Sequence, residues 1–298
     1  MKKLLLTGGT GFLGQNLQPL LSQTYEVQTL GRSAGNTIRA DLAEETPELG
    51  SRFDIVLHAA GKAHLIPHTV VEAEAFFAVN EEGTKNLCRA LESSGLPEVL
   101  IFVSSVAVYG CTEGENIDER HPLCGTDPYA LSKIRAEAFL TEWCAARGVR
   151  LGILRPALMA GAGAKGTLGA MVDGIRRSFY FDVGRGEARK SVLMAEDIAR
   201  LLPALAQKGG TYNLCDLRNP SLRELSTHIA AAMGRPVPCC IPYSLAKVLA
   251  AFGNHLGPRT PFSTVRLQKM TSSLTFSSEK ARRELEWEPL DVLGNYKI

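Results

Sequence analysis

The sequence predicts an α/β chain: a doubly wound parallel sheet followed by a small C-terminal lobe. Three observations predict it. Short apolar runs alternate with helical periods as far as about residue 160, the pattern of strands joined by crossover helices. The first of these junctions is a glycine-rich turn between a strand and a helix. Beyond residue 160 the regularity decays into glycine-rich and proline-bearing stretches, so the second half is expected to complete the sheet and to build a lobe over its carboxyl edge. The expected division is 1–160 for the sheet domain and 161–298 for the lobe interleaved with the last strands.

Residues 3–7 form the first apolar run, which breaks at Gly8, Gly9, Thr10, Gly11, Phe12, Leu13 and Gly14. Leu13, Leu17, Leu20 and Leu21 then recur at helical spacing, and residues 25–30 give a second strand. A strand at 55–58 ends in Ala59-Ala60-Gly61, residues 70–94 read as one long helix, and a strand at 99–103 ends in Ser104-Ser105. A second long helix spans 128–146, behind Pro128, and a strand at 150–154 stops at Pro156. Further on come glycine-rich 161–169, a helical stretch to about Arg177, polar 182–190 and a helix at 195–207.

Of 298 residues, 45% are hydrophobic, and 33 Lys and Arg face 31 Asp and Glu. Disorder needs less apolar material or a larger charge imbalance, and bulk attraction to nucleic acid needs more than +2. The opening apolar run ends at Leu6, too short for a secretory signal, and no run reaches the roughly 20 residues of a membrane span. The seven cysteines include no CxxC pair and no Cys/His cluster at zinc spacing. A cytoplasmic protein with free thiols and without metal, nucleic-acid or membrane partners is therefore expected.

Gly8-x-x-Gly11-x-x-Gly14, between strand and helix, is the arrangement that cradles a dinucleotide pyrophosphate. Gly8 permits the tight turn, Gly11 lets the backbone approach the phosphates, and Gly14 lets the helix pack on its strand. Unpaired amides at the helix start then meet the anion. At the end of the second strand an NAD-binding chain usually carries an acid for the ribose 2′-hydroxyl. This chain has Leu30-Gly31-Arg32-Ser33; Arg32 suits a 2′-phosphate, which favours NADP over NAD. Asp41-Leu42 suits the adenine edge.

Tyr129 and Lys133 lie four residues apart near the start of the second long helix, on one face. A lone Tyr-x-x-x-Lys pair is ordinarily a surface contact. Its chemical use is that an ammonium beside a phenol stabilises the phenolate and brings it toward working range at neutral pH. Ser105, at the end of the preceding strand, could hold a substrate oxygen against that phenol.

On these residues the sequence resembles the extended short-chain dehydrogenase/reductases, specifically the NAD(P)-dependent nucleotide-sugar epimerase/dehydratase family with its Rossmann sheet. The similarity also rests on His58-Ala-Ala-Gly61, Val79-Asn80 with Gly83-Thr84, Val108-Tyr109-Gly110, Arg155-Pro156 and Leu285-Glu-Trp-Glu-Pro289. The resemblance implies a Ser105, Tyr129, Lys133 triad with Tyr129 as acid/base, Lys133 on the nicotinamide ribose and Ser105 orienting the reacting oxygen. It places Gly8, Thr10, Gly11, Phe12, Leu13, Gly14, Arg32, Asp41, Leu42, His58, Ala59, Ala60, Gly61, Asn80, Ser104 and Pro156 about the cofactor. Asn80 is also implied to have a structural role beside the active site. Lys62, His64, Ser105, Val106, Lys190 and Arg266 are the candidates for the substrate.

Departures from the family narrow the reaction. Val106-Ala107 stands where sugar 4,6-dehydratases carry an Asp-Glu pair, which disfavours dehydration. Val106 also replaces the Cys used by the GDP-fucose synthase type, and Cys111 lies further along. What remains is 4-epimerisation or reduction of a 4-keto group on a nucleotide-diphosphate sugar in polysaccharide precursor synthesis. Arg32 tilts the balance slightly toward reduction. The alternative is a non-catalytic NADP-binding regulator or scaffold, a class that commonly loses the Tyr or the Lys. The two long helices resemble those of a four-helix homodimer interface, although their outer faces carry little that demands one.

Overall fold

The computed structural model describes residues 1–63, 67–255 and 263–298. Its strands are β1 (Lys3–Thr7), β2 (Glu26–Gly31), β3 (Ile38–Arg39), β4 (Ile55–His58), β5 (Val99–Val103), β6 (Gly114–Ile117), β7 (Arg150–Pro156), β8 (Leu158–Ala160), β9 (Asp182–Val183), β10 (Val192–Met194), β11 (Gly210–Leu214), β12 (Cys240–Ile241) and β13 (Leu274–Phe276). The helices are α1 (Phe12–Leu21), α2 (Val70–Phe77), α3 (Gly83–Ser94), α4 (Pro128–Arg147), α5 (Gly166–Arg176), α6 (Asp197–Lys208), α7 (Leu222–Ala232), α8 (Tyr243–His255), α9 (Thr264–Thr271), α10 (Glu279–Leu285) and α11 (Val292–Asn295).

The central sheet has the order β3-β2-β1-β4-β5-β7-β11 and is parallel throughout. Side chains alternate across a strand, and here both sets are apolar, which is what helices on both faces require. Leu4, Leu6, Ile55, Leu57, Val99 and Ile101 point to one side, where Leu13, Leu17 and Leu21 of α1 and Ile198, Leu201 and Leu205 of α6 cover them. Leu5, Val56, Leu100 and Phe102 point to the other, against Leu87 and Leu91 of α3 and Ala136 and Leu140 of α4. The strand order reverses between β1 and β4, so their carboxyl ends open a crevice at the switch point.

Residues 70–94 are not a single regular helix. A π turn at Ala78–Glu82 separates α2 from α3, and it falls at Asn80, whose side chain leaves the helix to bond the backbone of Lys62. π turns are concentrated at functional sites. In the second half, α6 and β11 return to the sheet, while β8 pairs β10 and β9 pairs β12 in separate two-stranded sheets. β13 pairs β6 of the first half. Smaller apolar clusters hold this lobe, one of them formed by Leu168, Met171, Leu225 and Ile229. Among the described residues no helix is long and apolar enough to cross a membrane.

Candidate active site

At the switch point the glycines do what their spacing predicts. Gly8 adopts φ +76°, and a Cβ on it would meet the Ala60 Cα at 3.0 Å. The β1 turn and the end of β4 therefore touch backbone to backbone. A Cβ on Gly14 would overlap the carbonyl oxygens of Gly8 and Gly9. Gly11 caps α1 without a side-chain hydrogen bond, and the first turn carries no acid, so the amides face outward for an anion. Asn16, which the motif did not single out, clamps Ala162 through both its amide groups and ties the 161–163 segment to α1.

His58 does not face a ligand. Ala60 N–H donates to Thr7 Oγ1, Thr7 donates to Nδ1 of His58 at 2.7 Å, Nε2 donates to Thr84 Oγ1 at 2.9 Å, and Thr84 donates to the Asn80 carbonyl. That chain of donors assigns a neutral Nε2–H imidazole. Burial, helped by the Lys133 charge, pulls its pKa down to about 3. Asn80 is likewise committed, holding the Lys62 backbone and the Ser132 hydroxyl. Every polar side-chain atom of His58 and Asn80 is thus bonded inside the protein, so at the cofactor crevice both side chains act as positioning residues.

The triad converges from β5 and α4. Asp127 caps α4 by accepting from Ala130 N–H, and Pro128 starts its first turn, which places Tyr129 one turn ahead of Lys133. Ser105 Oγ accepts from Ala107 N–H at 3.1 Å, leaving its hydroxyl proton for the Tyr129 oxygen, with which it interacts. Lys133 donates to the Val103 carbonyl at 2.8 Å and lies 4.5 Å over the Phe102 ring. Its ammonium also approaches Gly61, where a Cβ would sit 3.2 Å from Nζ.

The electrostatics differ from the sequence expectation. Burial raises the Tyr129 pKa, opposed by the Ser105 hydrogen bond, and Lys133 is not among the groups that lower it. Burial also pulls Lys133 down to about 8, opposed by Glu137. Desolvation outweighs the expected phenol–ammonium coupling because Lys133 turns toward Val103 and Gly61. Tyr129 is thus held as a phenol, a proton donor.

A support that the motif reading missed lies behind the triad. Glu137, one further turn along the Tyr129–Lys133 face, pairs with Arg155 at 2.6 and 3.1 Å. Arg155 also donates to Tyr109, which donates to Asn213. Glu137 and Arg155 are both buried, and the pair locks α4 to the end of β7. The i, i+4, i+8 spacing of Tyr129, Lys133 and Glu137 was the available signal.

The other candidates fall into distinct places. Arg32 is 75% exposed and lies 3.6 Å from Asp41, and Arg39, which the sequence reading passed over, donates to its carbonyl. Thr10 is exposed; Phe12 and Ala59 pack beside the α1 face of the sheet. The side chain of Leu13 belongs to that core and that of Leu42 to the opposite one, which leaves their main chains as the part that can face the crevice. Pro156 is buried at the end of β7. Ser104 is buried, with its Oγ unpartnered at the carboxyl edge of β5. Val106 packs beside Tyr109. Lys62 lies 5.7 Å over Phe76, a ring that also flanks Tyr129.

Lys190 is buried in the lobe and donates to the Ser272 carbonyl at 2.7 Å; burial and Lys269 pull it down to about 8. Arg266 is exposed in the first turn of α9. Neither makes a hydrogen bond or ion pair with the triad among the described residues. His64 lies outside the described residues. Cys111, before β6, and His121, after it, approach to 3.7 Å, and burial pushes the Cys111 thiol up.

The family model described as "NAD dependent epimerase/dehydratase family" matches residues 4–215. The chain belongs to this family. Its fold and NAD(P) dependence are thereby those of the extended short-chain dehydrogenase/reductases. It is 25% identical to N-acetyl-alpha-D-glucosaminyl-diphospho-ditrans,octacis-undecaprenol 4-epimerase of Escherichia coli O157:H7, over 93% of this chain and 88% of that one. It is 28% identical to GDP-6-deoxy-D-mannose reductase of Pseudomonas aeruginosa, over 75% and 78%. Among solved structures, RMD from Pseudomonas aeruginosa complexed with NADPH superposes with a TM-score of 0.75, covering 99% of this chain and 96% of that chain at 21% identity.

The site fits a nicotinamide dinucleotide on its own geometry. The glycine cradle has no room for side chains, the α1 amides are uncapped, and the Ser104 oxygen and Lys133 ammonium lie along the crevice that leads from it.

Proposed function

We propose that the protein reduces a 4-keto group on a nucleotide-diphosphate sugar with NADPH, 4-epimerisation being the second reading within the same site. The observation that carries it is the pairing of a half-buried phenol, Tyr129, beside Ser105, with two cations, Arg32 after β2 and Arg39 at the end of β3, where the acid at hand, Asp41, faces Arg32. A protonated phenol can give its proton to an oxygen that gains negative charge as the carbonyl is reduced. With substrate in place Ser105 turns its one hydroxyl proton from Tyr129 to that oxygen and fixes its distance from Tyr129. Lys133, held by Val103 and propped by Glu137, is placed to bind ribose hydroxyls. The bound cofactor supplies the hydride. Both relatives named above act, by their names, on diphosphate-linked sugars or produce them, which supports that substrate class. Lys62 and Lys190 are the cations proposed for its phosphates.

The test is oxidation of NADPH on addition of a nucleotide-linked 4-keto-6-deoxyhexose, with Tyr129→Phe as the control. Tyr129→Phe is expected to lower kcat by about 10²–10⁴ while NADPH still binds. Turnover of a UDP-hexose to its 4-epimer with retained NAD, and no NADPH oxidation, would replace reduction with epimerisation. Equal activity of the Phe variant would remove the catalytic reading altogether.

A further inference from the structure

Residues 225–278 contain five Lys and Arg and no Asp or Glu, although 31 acids over 298 residues put one at about every tenth position elsewhere. Within this stretch α8 and α9 pack against each other and against β9 by a small core of Val183, Ala246, Ala250 and Leu267. Elsewhere α8 carries large apolar side chains that are exposed. Leu245, Val248 and Phe252 recur at i, i+3 and i+7 and are 47%, 65% and 66% exposed, with Val265 of α9 also exposed. Lys247, Arg266 and Lys269 are exposed on the same two helices, and Arg235 on the segment leading to them.

A face that is at once apolar and free of negative charge has few partners. A second copy of the same face would set like charges against each other. A nucleic-acid backbone would satisfy the cations but bury none of the apolar stripe. An anionic lipid bilayer satisfies both, with apolar side chains entering at the headgroup level and lysines and arginines drawn to the surface potential. We propose that the α8–α9 face docks this protein onto an anionic membrane surface, with Leu245, Val248 and Phe252 as the inserted residues. No span is needed, because such a helix lies in the interface instead of crossing it. Such docking runs against the expectation of no membrane partner, which rested on the absence of a span.

The experiment is co-sedimentation of the full chain with vesicles of phosphatidylcholine alone and of phosphatidylcholine mixed with phosphatidylglycerol. Binding to the mixed vesicles is expected to exceed binding to the neutral ones by about fivefold or more and to fall as salt is raised. The double variant Val248→Asp/Phe252→Asp is expected to lose that binding with its thermal unfolding unchanged. Arg235→Glu/Lys247→Glu provides a second route should the first variant fail to fold, and it too is expected to lose binding. Equal sedimentation with both vesicle types, binding that survives the variants, or a loss of self-association in place of a loss of vesicle binding would each overturn the proposal. The outcome is independent of which sugar the active site accepts.

Discussion

The two halves of the chain secure their polar groups in different ways. In the first, buried groups far apart in sequence are joined in series: Thr7 to His58 to Thr84, and Glu137 to Arg155 to Tyr109 to Asn213. In the second, long bonds such as Lys190 to Ser272 and Ser226 to Asp182 stand singly, and many others are short in sequence, such as the Ser221–Glu224 capping box of α7 and the Arg200–Asp197 pair of α6. Long-range joining makes the position of one motif depend on another, so the catalytic edge behaves as a unit. In the lobe the local caps supplement a core that α5, α7 and α11 share and a few long bonds, such as those from Arg223 and Ser226 of α7 to Asp182.

If that contrast holds, the largest effect should come from opening the buried pair behind the triad. Glu137→Gln leaves the Arg155 charge buried with only Tyr109 beside it, and removal of one partner of such a pair costs about 3 to 5 kcal/mol. Urea unfolding at neutral pH measures it. A loss under about 1 kcal/mol would mean that water reaches Arg155 and that α4 is not locked to β7 through this pair.

The His58 relay gives the next largest effect and carries a pH signature. An unfolded imidazole takes up a proton below about pH 6.5, whereas the folded one refuses it until about pH 3. The unfolded state therefore binds more protons in that window, and stability falls as pH falls through it. Between pH 6.5 and 4.5 this group alone should remove about 2 to 3 kcal/mol. His58→Asn should be less stable at neutral pH yet show a shallower loss on acidification. An unchanged slope would show that His58 is solvated.

The cofactor edge is expected to respond more modestly because Arg32 is exposed. Arg32→Ala should weaken NADPH binding by about 1 to 3 kcal/mol, the range for a lost charge-assisted contact, and barely change NADH. Fluorescence titration with both cofactors checks this. Equal losses for both would refute the NADP preference, and a small selective loss would point to Arg39 as a shared donor.

The same contrast explains what the sequence disclosed. Gly8 and Gly14 were legible because no other residue fits where a Cβ would strike Ala60 or the Gly8 and Gly9 carbonyls. Tyr129 and Lys133 were legible because their chemistry requires one helical face. Glu137 and Arg155 were not, since a Glu in a helix and an Arg before a proline acquire meaning only when α4 and β7 meet in space. The π turn at Asn80 was hidden for a related reason: residues 70–94 keep helical composition throughout, and only the bond to Lys62 shows where the turn widens. The pKa of Tyr129 was misjudged because spacing along a helix fixes the face a lysine shares, not the carbonyl toward which its ammonium turns.

The smallest expected effect tests the lobe's side of the comparison. Ser221 accepts from Glu224 N–H, and Glu224 accepts in return from Ser221 N–H. Ser221→Ala breaks one half of that reciprocal cap and should cost about 1 kcal/mol. Glu224 also receives Arg218 and Arg189, so the other half of the cap should persist and keep α7 in place. Because the device is local, turnover and NADPH affinity should stay at wild-type values while the unfolding midpoint drops slightly. A clear loss of activity would show that α7 is coupled to the catalytic edge after all, most directly through the bridge between Arg189 and Ser221 and the neighbouring Lys190–Leu274 pairing.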